Sequence, residues 1–150
     1  MSETRIRLRR MTLLDAPAVA ALATELGYPS DAARVIARAD EVLKREDHAA
    51  FVATLGDAVL GWGHAYVCYL IESEPYVEIG GLVVSTHARG AGVGTKLVEA
   101  IAGWARTQGV DALRVRSQIK REAAHAFYRK RGFVERKTQL TFVRPLAKHD

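Results

Sequence analysis

Cysteine is almost absent from this 150-residue chain: Cys68 stands alone. One thiol excludes an intramolecular disulfide framework and any cysteine-rich zinc module. Proline is also scarce, with 4 residues, and no run of about 18 apolar residues occurs, so no transmembrane helix is expected. The first residues, Met1 to Arg7, carry basic side chains with no apolar stretch behind them, which does not fit a secretory signal. The simplest expected compartment is therefore the cytosol. The five histidines (His48, His64, His87, His125, His149) show no metal-ligand spacing, and no metal is expected.

What is present is ordinary globular composition, 49% hydrophobic and 26% charged, which sets disorder and low complexity aside. The length fits one domain over residues 1–150. Net charge is +5, from 22 basic and 17 acidic residues, and favours an anionic partner without naming it. The excess gathers at Arg5, Arg7, Arg9 and Arg10 and again between Lys120 and Lys137. Neither the aromatic-and-basic pattern of an RNA-binding module nor a zinc spacing accompanies it, so a nucleic-acid partner is not expected.

Arg5 to Arg9 alternates as a half-buried strand does, with Ile6 and Leu8 on one face. Thr12 and Asp15 have capping-box spacing, and a helix follows from Asp15 to Leu26 with Pro17 in its first turn. Ser30 to Lys44 reads as a second helix, striped by Val35, Ile36, Ala39, Val42 and Leu43. Two β-like runs, Ala49–Leu55 and Ala58–Leu70, meet at a Gly56-Asp57 turn, and Glu72 to Pro75 is expected to end the second. Tyr76–Val84 is a further strand, and its Gly80-Gly81 pair predicts a bulge. A helix over about 91–108, a strand at Ala112–Ser117, a helix at Glu122–Arg131 and β-rich sequence from Phe133 to Leu146 complete the chain. The order predicts an α/β (α+β) fold: a mixed, mostly antiparallel central sheet flanked by helices, with one α/β crossover.

The most informative stretch runs from Val83 to Thr95, where a strand enters a glycine-rich turn that opens directly into a helix. Missing Cβ atoms admit a ligand to the backbone, and unpaired amides at a helix start attract phosphate. Arg89 adds a guanidinium able to hold two phosphate oxygens. A ligand-free tight turn is the bland alternative, but Gly90, Gly92 and Gly94 each weaken a helix start by about 1 kcal/mol relative to Ala. A P-loop fails because Lys96 follows Thr95 and precedes Leu97. A dinucleotide fingerprint fails because Thr95 occupies the third glycine position.

R-x-x-G-x-G does fit, as Arg89-Gly90-Ala91-Gly92-Val93-Gly94, and further on stands A-x-x-F-Y-x-x-x-G-F, from Ala124 through Phe127-Tyr128 to Gly132-Phe133. Together these resemble the two signatures of the GNAT superfamily of acetyl-CoA-dependent N-acetyltransferases. The likeness covers nearly the whole chain and implies a GNAT-like acyl-CoA N-acyltransferase fold. Acetyl-CoA is then the implied cosubstrate and a primary amine of a small molecule or peptide the acceptor. It implies that the diphosphate sits on Arg89, Gly90, Ala91, Gly92, Val93, Gly94 and Thr95. The strand before the loop is implied to splay, so that backbone at Leu82, Val83 and Val84 pairs with the pantetheine arm and one N–H faces the developing oxyanion. Family members often carry Pro where Thr86 stands and Asn where Arg121 stands; Arg121 is the candidate to meet an anionic part of the cofactor.

Tyr128 resembles the family's general acid. A phenol near pKa 10 protonating a thiolate near 8.5 is uphill by about 2 kcal/mol, which a transition state tolerates. The alternative is a core tyrosine. Glu78, on the opposite strand face from Val77 and Ile79, is the candidate base for an ammonium that must first lose a proton; a cross-strand ion pair is its structural alternative. Glu72, Glu74 and Glu78 together could draw in a cationic amine or serve solubility only. Cys68 reads as packing: His64, the nearest histidine of the same strand parity, would be about 13 Å away, and apolar neighbours raise a thiol pKa. His125, one helical turn before Tyr128, is an outside proton-relay candidate. A non-catalytic sensor of CoA thioesters is the competing function, no membrane partner is expected, and both a monomer and a homodimer stay open.

Overall fold

The computed structural model describes residues 5–147. It divides into two compact units, one ending at Arg116 and the other beginning at Ser117. The first is a five-stranded sheet in sequential order: β1 (Arg7–Arg10), β2 (His48–Leu55), β3 (Ala58–Leu70), β4 (Ser73–Val84) and β5 (Leu113–Val115). Every pairing is antiparallel except β4 with β5, which is parallel and is joined through helix α3 (Val93–Thr107). Helices α1 (Ala16–Glu25) and α2 (Ala32–Leu43) fall between β1 and β2. The expected mixed, mostly antiparallel sheet flanked by helices is the observed one.

β3 alternates along its length because its two faces meet different helices. From Gly61 onward its odd-numbered residues face α3, where Leu97 and Ile101 are fully buried. Gly61 and Gly63 permit that approach: a Cβ on Gly61 would lie 2.9 Å from both the Val83 carbonyl oxygen and Val93 Cγ1, and one on Gly63 would lie 3.2 Å from Ile101 Cδ1. On the other face Trp62 joins Met11, Val19, Ala50 and Val52, covered in part by Val35 and Leu43 of α2. No residue of α2 is fully buried, and Ile36 of its expected stripe is 41% exposed.

Between β1 and α1 the chain makes one 3-10 turn, Leu13–Asp15, closed by the expected capping box. Asp15 accepts from the Thr12 amide at 2.8 Å and takes both guanidinium nitrogens of Arg9, at 2.7 and 2.8 Å. Arg9, first among the causes, holds the Asp15 carboxyl below its ordinary value. A depressed carboxyl stabilises the fold above its unfolded-state pKa and loses that contribution as pH falls through the folded one.

The hairpin from β3 to β4 departs from expectation. Its turn is Ile71-Glu72, and Ser73 to Pro75 already belong to β4 instead of ending β3. Pro75 is tolerated because β5 pairs with β4 only from Val77 onward, so no ladder partner misses its N–H.

The second unit carries α4 (Glu122–Lys130), followed by a glycine at positive φ, Gly132. Phe133 folds back so that its ring meets Tyr128 edge-on at 5.5 Å, and Tyr128 meets Phe127 at 5.3 Å. The β-rich reading of Phe133–Leu146 is not borne out: the described residues there form no strand. Val134, Leu140, Phe142, Val143 and Leu146 are 79% to 88% exposed, so strand-forming side chains lack the apolar cover that makes a strand persist.

Two outcomes follow from this packing. Gly61→Ala should lose about 1–3 kcal/mol in urea unfolding, because backbone and helix both abut the added methyl. Asp15→Asn should melt lower than the wild type at neutral and alkaline pH and converge with it as pH falls through the acid range, as measured by thermal melts across pH.

Candidate functional site

The site grows from one extra residue. Along β3 and β4 the register pairs Ala65 with Ile79 but His64 with Gly81, so Gly80 is the inserted residue of a β-bulge. This is the irregularity that the glycine pair predicts. Gly81 must lack a side chain, since its Cβ would lie 2.8 Å from the Trp62 ring. Pairing of β4 with β5 stops at Ile79, opposite Val115. From Gly80 to Val84 the outer edge of β4 therefore has no strand beside it among the described residues, while its inner edge continues along Gly63, Trp62 and Gly61. Leu82, Val83 and Val84 lie on this opened segment, which carries backbone donors and acceptors suited to an extended ligand.

β4 leads through a short 3-10 turn, Thr86–Ala88, into the glycine loop. Gly90 and Gly92 have φ of 86° and 81°, in the left-handed region, and a Cβ on either would meet no protein atom within 4 Å. Gly92 is the N-cap of α3, no side chain caps the helix, and its ladder begins with the Lys96 amide bonded to the Gly92 carbonyl at 3.0 Å. Val93 and Gly94 are buried with their amides ahead of that first bond. Arg89, Gly90 and Ala91 are exposed at the loop surface. Open space, uncapped amides, the positive end of a helix dipole and a guanidinium together fit a diphosphate. Thr95 follows in the first turn, half-buried.

Glu78 is buried on the α1/α2 face of β4, opposite in facing to Val77 and Ile79 as expected. Its Oε2 accepts from the Tyr66 hydroxyl at 3.1 Å and lies 3.5 Å from Arg116 Nε. The cross-strand ion-pair alternative is thus present in the structure, and it does not preclude proton transfer at the carboxylate. Burial, then the Glu78 charge, raises the Tyr66 phenol above its ordinary pKa.

Above this pair stand two residues that the motif reading passed over. His48 Nδ1 and His64 Nε2 are 2.9 Å apart with their rings stacked at 5.2 Å, and His48 also stacks on Tyr66 at 5.3 Å. Burial, with the neighbouring His48 second, pushes His64 down to about 4. Cys68 is half-buried and engages Tyr76, whose phenol is raised by that hydrogen bond and by burial, in keeping with a packing role. A separate groove of about 360 Å³, lined by Tyr69, Glu74, Pro75 and Gln108–Asp111, shares no residue with the bulge or the loop. Glu72 is exposed on the hairpin turn.

In the second unit, Tyr128 is half-buried on α4 between Phe127 and Phe133. Arg121 is the exposed N-cap of α4. His125 Nε2 is 2.8 Å from the Gln118 carbonyl oxygen and donates to it, which ties down the start of the helix. Among the described residues no cluster of His, Cys, Asp and Glu could hold a metal ion, and no helix is long and apolar enough to cross a membrane.

Comparison with known proteins agrees with this geometry. Residues 14–133 match the model of the Acetyltransferase (GNAT) family, and the chain belongs to that family. An IAA acetyltransferase of Azospirillum brasilense is 32% identical over 97 residues, a match covering 64% of this chain and 61% of that protein's length. AAC(6')-Iy, solved with the bisubstrate analogue CoA-S-monomethyl-acetylneamine, superposes with a TM-score of 0.85 at 19% identity, covering 95% of this chain and 100% of that one. The aminoglycoside 6'-N-acetyltransferase AAC(6')-Ih of Acinetobacter baumannii gives 0.82 at 16% identity, with 95% and 100% covered. These structural likenesses establish the shared fold.

Gly92→Glu tests the loop. It forces a side chain into left-handed backbone at a cost of about 1–2 kcal/mol but meets no protein atom, so the fold should persist. Calorimetry should show CoA affinity reduced more than about tenfold; an unchanged affinity would remove the loop from the cofactor site.

Proposed function

We propose that this protein is an N-acetyltransferase that moves the acetyl group of acetyl-CoA directly to a primary amine of a small molecule or peptide. The observation that carries the reading is the coincidence, on one strand-loop-helix segment, of an opened strand edge at Gly80–Val84 and an uncapped glycine loop at Arg89–Gly94. An extended arm ending in a diphosphate needs both. Structures of the same fold solved with CoA or a CoA conjugate lend it further support.

When bound, acetyl-CoA supplies an acetyl group already activated as a thioester. The chain's residues do the rest. Arg89 and the amides of Gly90 and of Gly92 to Thr95 hold the diphosphate, Ala91 shapes the loop through its own amide bond to the Ala88 carbonyl at 3.3 Å, and Arg121 meets a further anionic part. Backbone at Leu82, Val83 and Val84 aligns the arm and offers an N–H to the carbonyl oxygen as charge develops there. Glu78 accepts the acceptor's ammonium proton, directly or through water, because an amine near pKa 10 is almost wholly protonated at neutral pH. Tyr128 gives its hydroxyl proton to the departing sulfur. The net positive charge suits the anionic cofactor, whereas the acidic stretch Glu72–Glu78 suits a cationic acceptor.

The acceptors in the relatives' names, IAA in one and aminoglycosides in others, belong to those proteins; they widen the set of acceptors worth assaying here. Thiol release from acetyl-CoA, screened against polyamines, amino acids, aminoglycosides and peptides, should identify a consumed amine. Glu78→Gln and Tyr128→Phe should each lower turnover by about 10²–10⁴-fold while calorimetry shows CoA still bound. A CoA sensor without turnover would show unchanged ligand response in both variants and no acetylated product from any amine. The wild-type rate should rise with pH as acceptor and base lose protons; a flat profile from about pH 6 to about pH 9 removes the base.

A further inference from the structure

We propose that His64 and His48 form a two-imidazole proton relay that takes the acceptor's proton at the β4 bulge and carries it to the outer end of β2. The relay rests on the acetyl-transfer reading above and adds two residues to it.

Three observations converge. First, the ring nitrogens are joined: His48 Nδ1 to His64 Nε2 at 2.9 Å, within a stack that also includes Tyr66. Second, the inner end of the pair reaches the bulge. A Cβ on Gly80 would lie 3.1 Å from His64 Nδ1 and 3.3 Å from Tyr66 Cε1, so that nitrogen borders the inserted glycine. Third, Gly80 is exposed while both imidazoles are half-buried, which gives the path an open inner mouth and a sheltered middle.

The proton count closes. With His64 Nε2–H donating to His48 Nδ1, His64 Nδ1 presents a lone pair at the bulge. Once Glu78 has taken the first proton and the amine has attacked, an N–H bond of the positively charged nitrogen breaks as a new N–H bond forms at His64 Nδ1. The His64 Nε2 proton passes to His48 Nδ1, and the His48 Nε2 proton leaves to water. The nitrogen keeps that electron pair in the amide, and exchange with water at the two ends restores the starting tautomers. The low basicity of His64 makes it a conduit in which the proton does not rest.

The charged and titratable groups around the pair are Tyr66 on β3, Glu78 on β4 and Arg116 beyond β5, with Cys68 and Tyr76 farther along the same face. No side chain of α1 or α2 is hydrogen-bonded to either imidazole among the described residues. Tyr66 links the ring stack to Glu78 through its hydroxyl. The carboxylate and the relay are therefore joined through Tyr66 and can take successive protons from one nitrogen.

The test pairs a structural readout with a kinetic one. Nitrogen-15 NMR of the histidines in the protein alone should show a shared hydrogen bond and a His64 that stays neutral down to about pH 4. Two rings titrating independently near about pH 6.5 would overturn the relay. His64→Gln keeps a hydrogen-bonding group toward His48 but cannot shuttle a proton. It should retain wild-type melting and CoA affinity yet lose about 10²-fold in kcat and change the pH profile. His64→Ala should lose similarly and regain rate with added imidazole, and His48→Gln should lose less. Wild-type kcat and pH profile in His64→Gln overturn the relay and leave acetyl transfer standing. Should the wild type turn over no amine at all, the enzyme reading falls and takes the relay with it.

Discussion

A single inserted residue, Gly80, organises everything around the site. In an antiparallel pair, opposed residues share a face, and an extra residue on one strand reverses which parity faces which way. Before the bulge, the even-numbered Tyr76 and Glu78 share the α1/α2 face with Cys68 and Tyr66; after it, Gly81 and Val83 lie opposite His64 and Trp62. The same insertion coincides with the end of β5 pairing at Ile79, so the backbone beyond it is released on its outer edge. Titratable side chains and a strand edge with no ladder partner among the described residues thereby meet at one place. Glycine is required there for space: a side chain at 80 would meet His64, and one at 81 would collide with Trp62.

The helix that follows solves a different problem. A glycine-opened N-terminus without a capping side chain is poor for local stability. α3 compensates by burying Val93, Leu97, Val98, Ile101 and Trp104 against the sheet, where Gly61 and Gly63 let it lie close. The same glycine economy on β3 that seats α3 thus supports an end of the helix that has no side-chain cap. Packing strength at the helix middle and ligand space at its start are linked through two residues of a neighbouring strand.

Much of this was legible. The glycine pair Gly80-Gly81 announced the bulge, the loop announced its helix, and strand parity put Glu78 on the correct face. The His48–His64 pair was not legible, for a definable reason. From the Gly56-Asp57 turn, regular hairpin register sets Leu55 against Ala58 and would place His48 and His64 on opposite faces. A shift between Ala53 and Thr54, leaving Leu60 as the extra residue of β3, brings Ala50 opposite His64 and so puts His48 on its face. Nothing near Leu60 signals that insertion as paired glycines do at 80–81. The segment after Phe133 failed in the other direction: its alternating, β-prone residues have the propensity for a strand, but propensity forms no ladder without a neighbour.

Two charge regimes divide the first unit. The α3 loop offers a guanidinium, dipolar amides and open space, and it can accept a strongly hydrated anion because the binding groups stay partly solvated. The α1/α2 face is the reverse: a buried carboxylate held by Tyr66 and Arg116, beside the His64 imidazole, whose basicity burial lowers. A cation entering there meets the Glu78 carboxylate with the Arg116 guanidinium already beside it, and its own charge further disfavours protonation of His64. The bulge lies at the boundary between these regimes. A reaction that consumes a cationic amine and an anionic thioester needs its two partners drawn from opposite fields, and the inserted glycine sits where those fields adjoin.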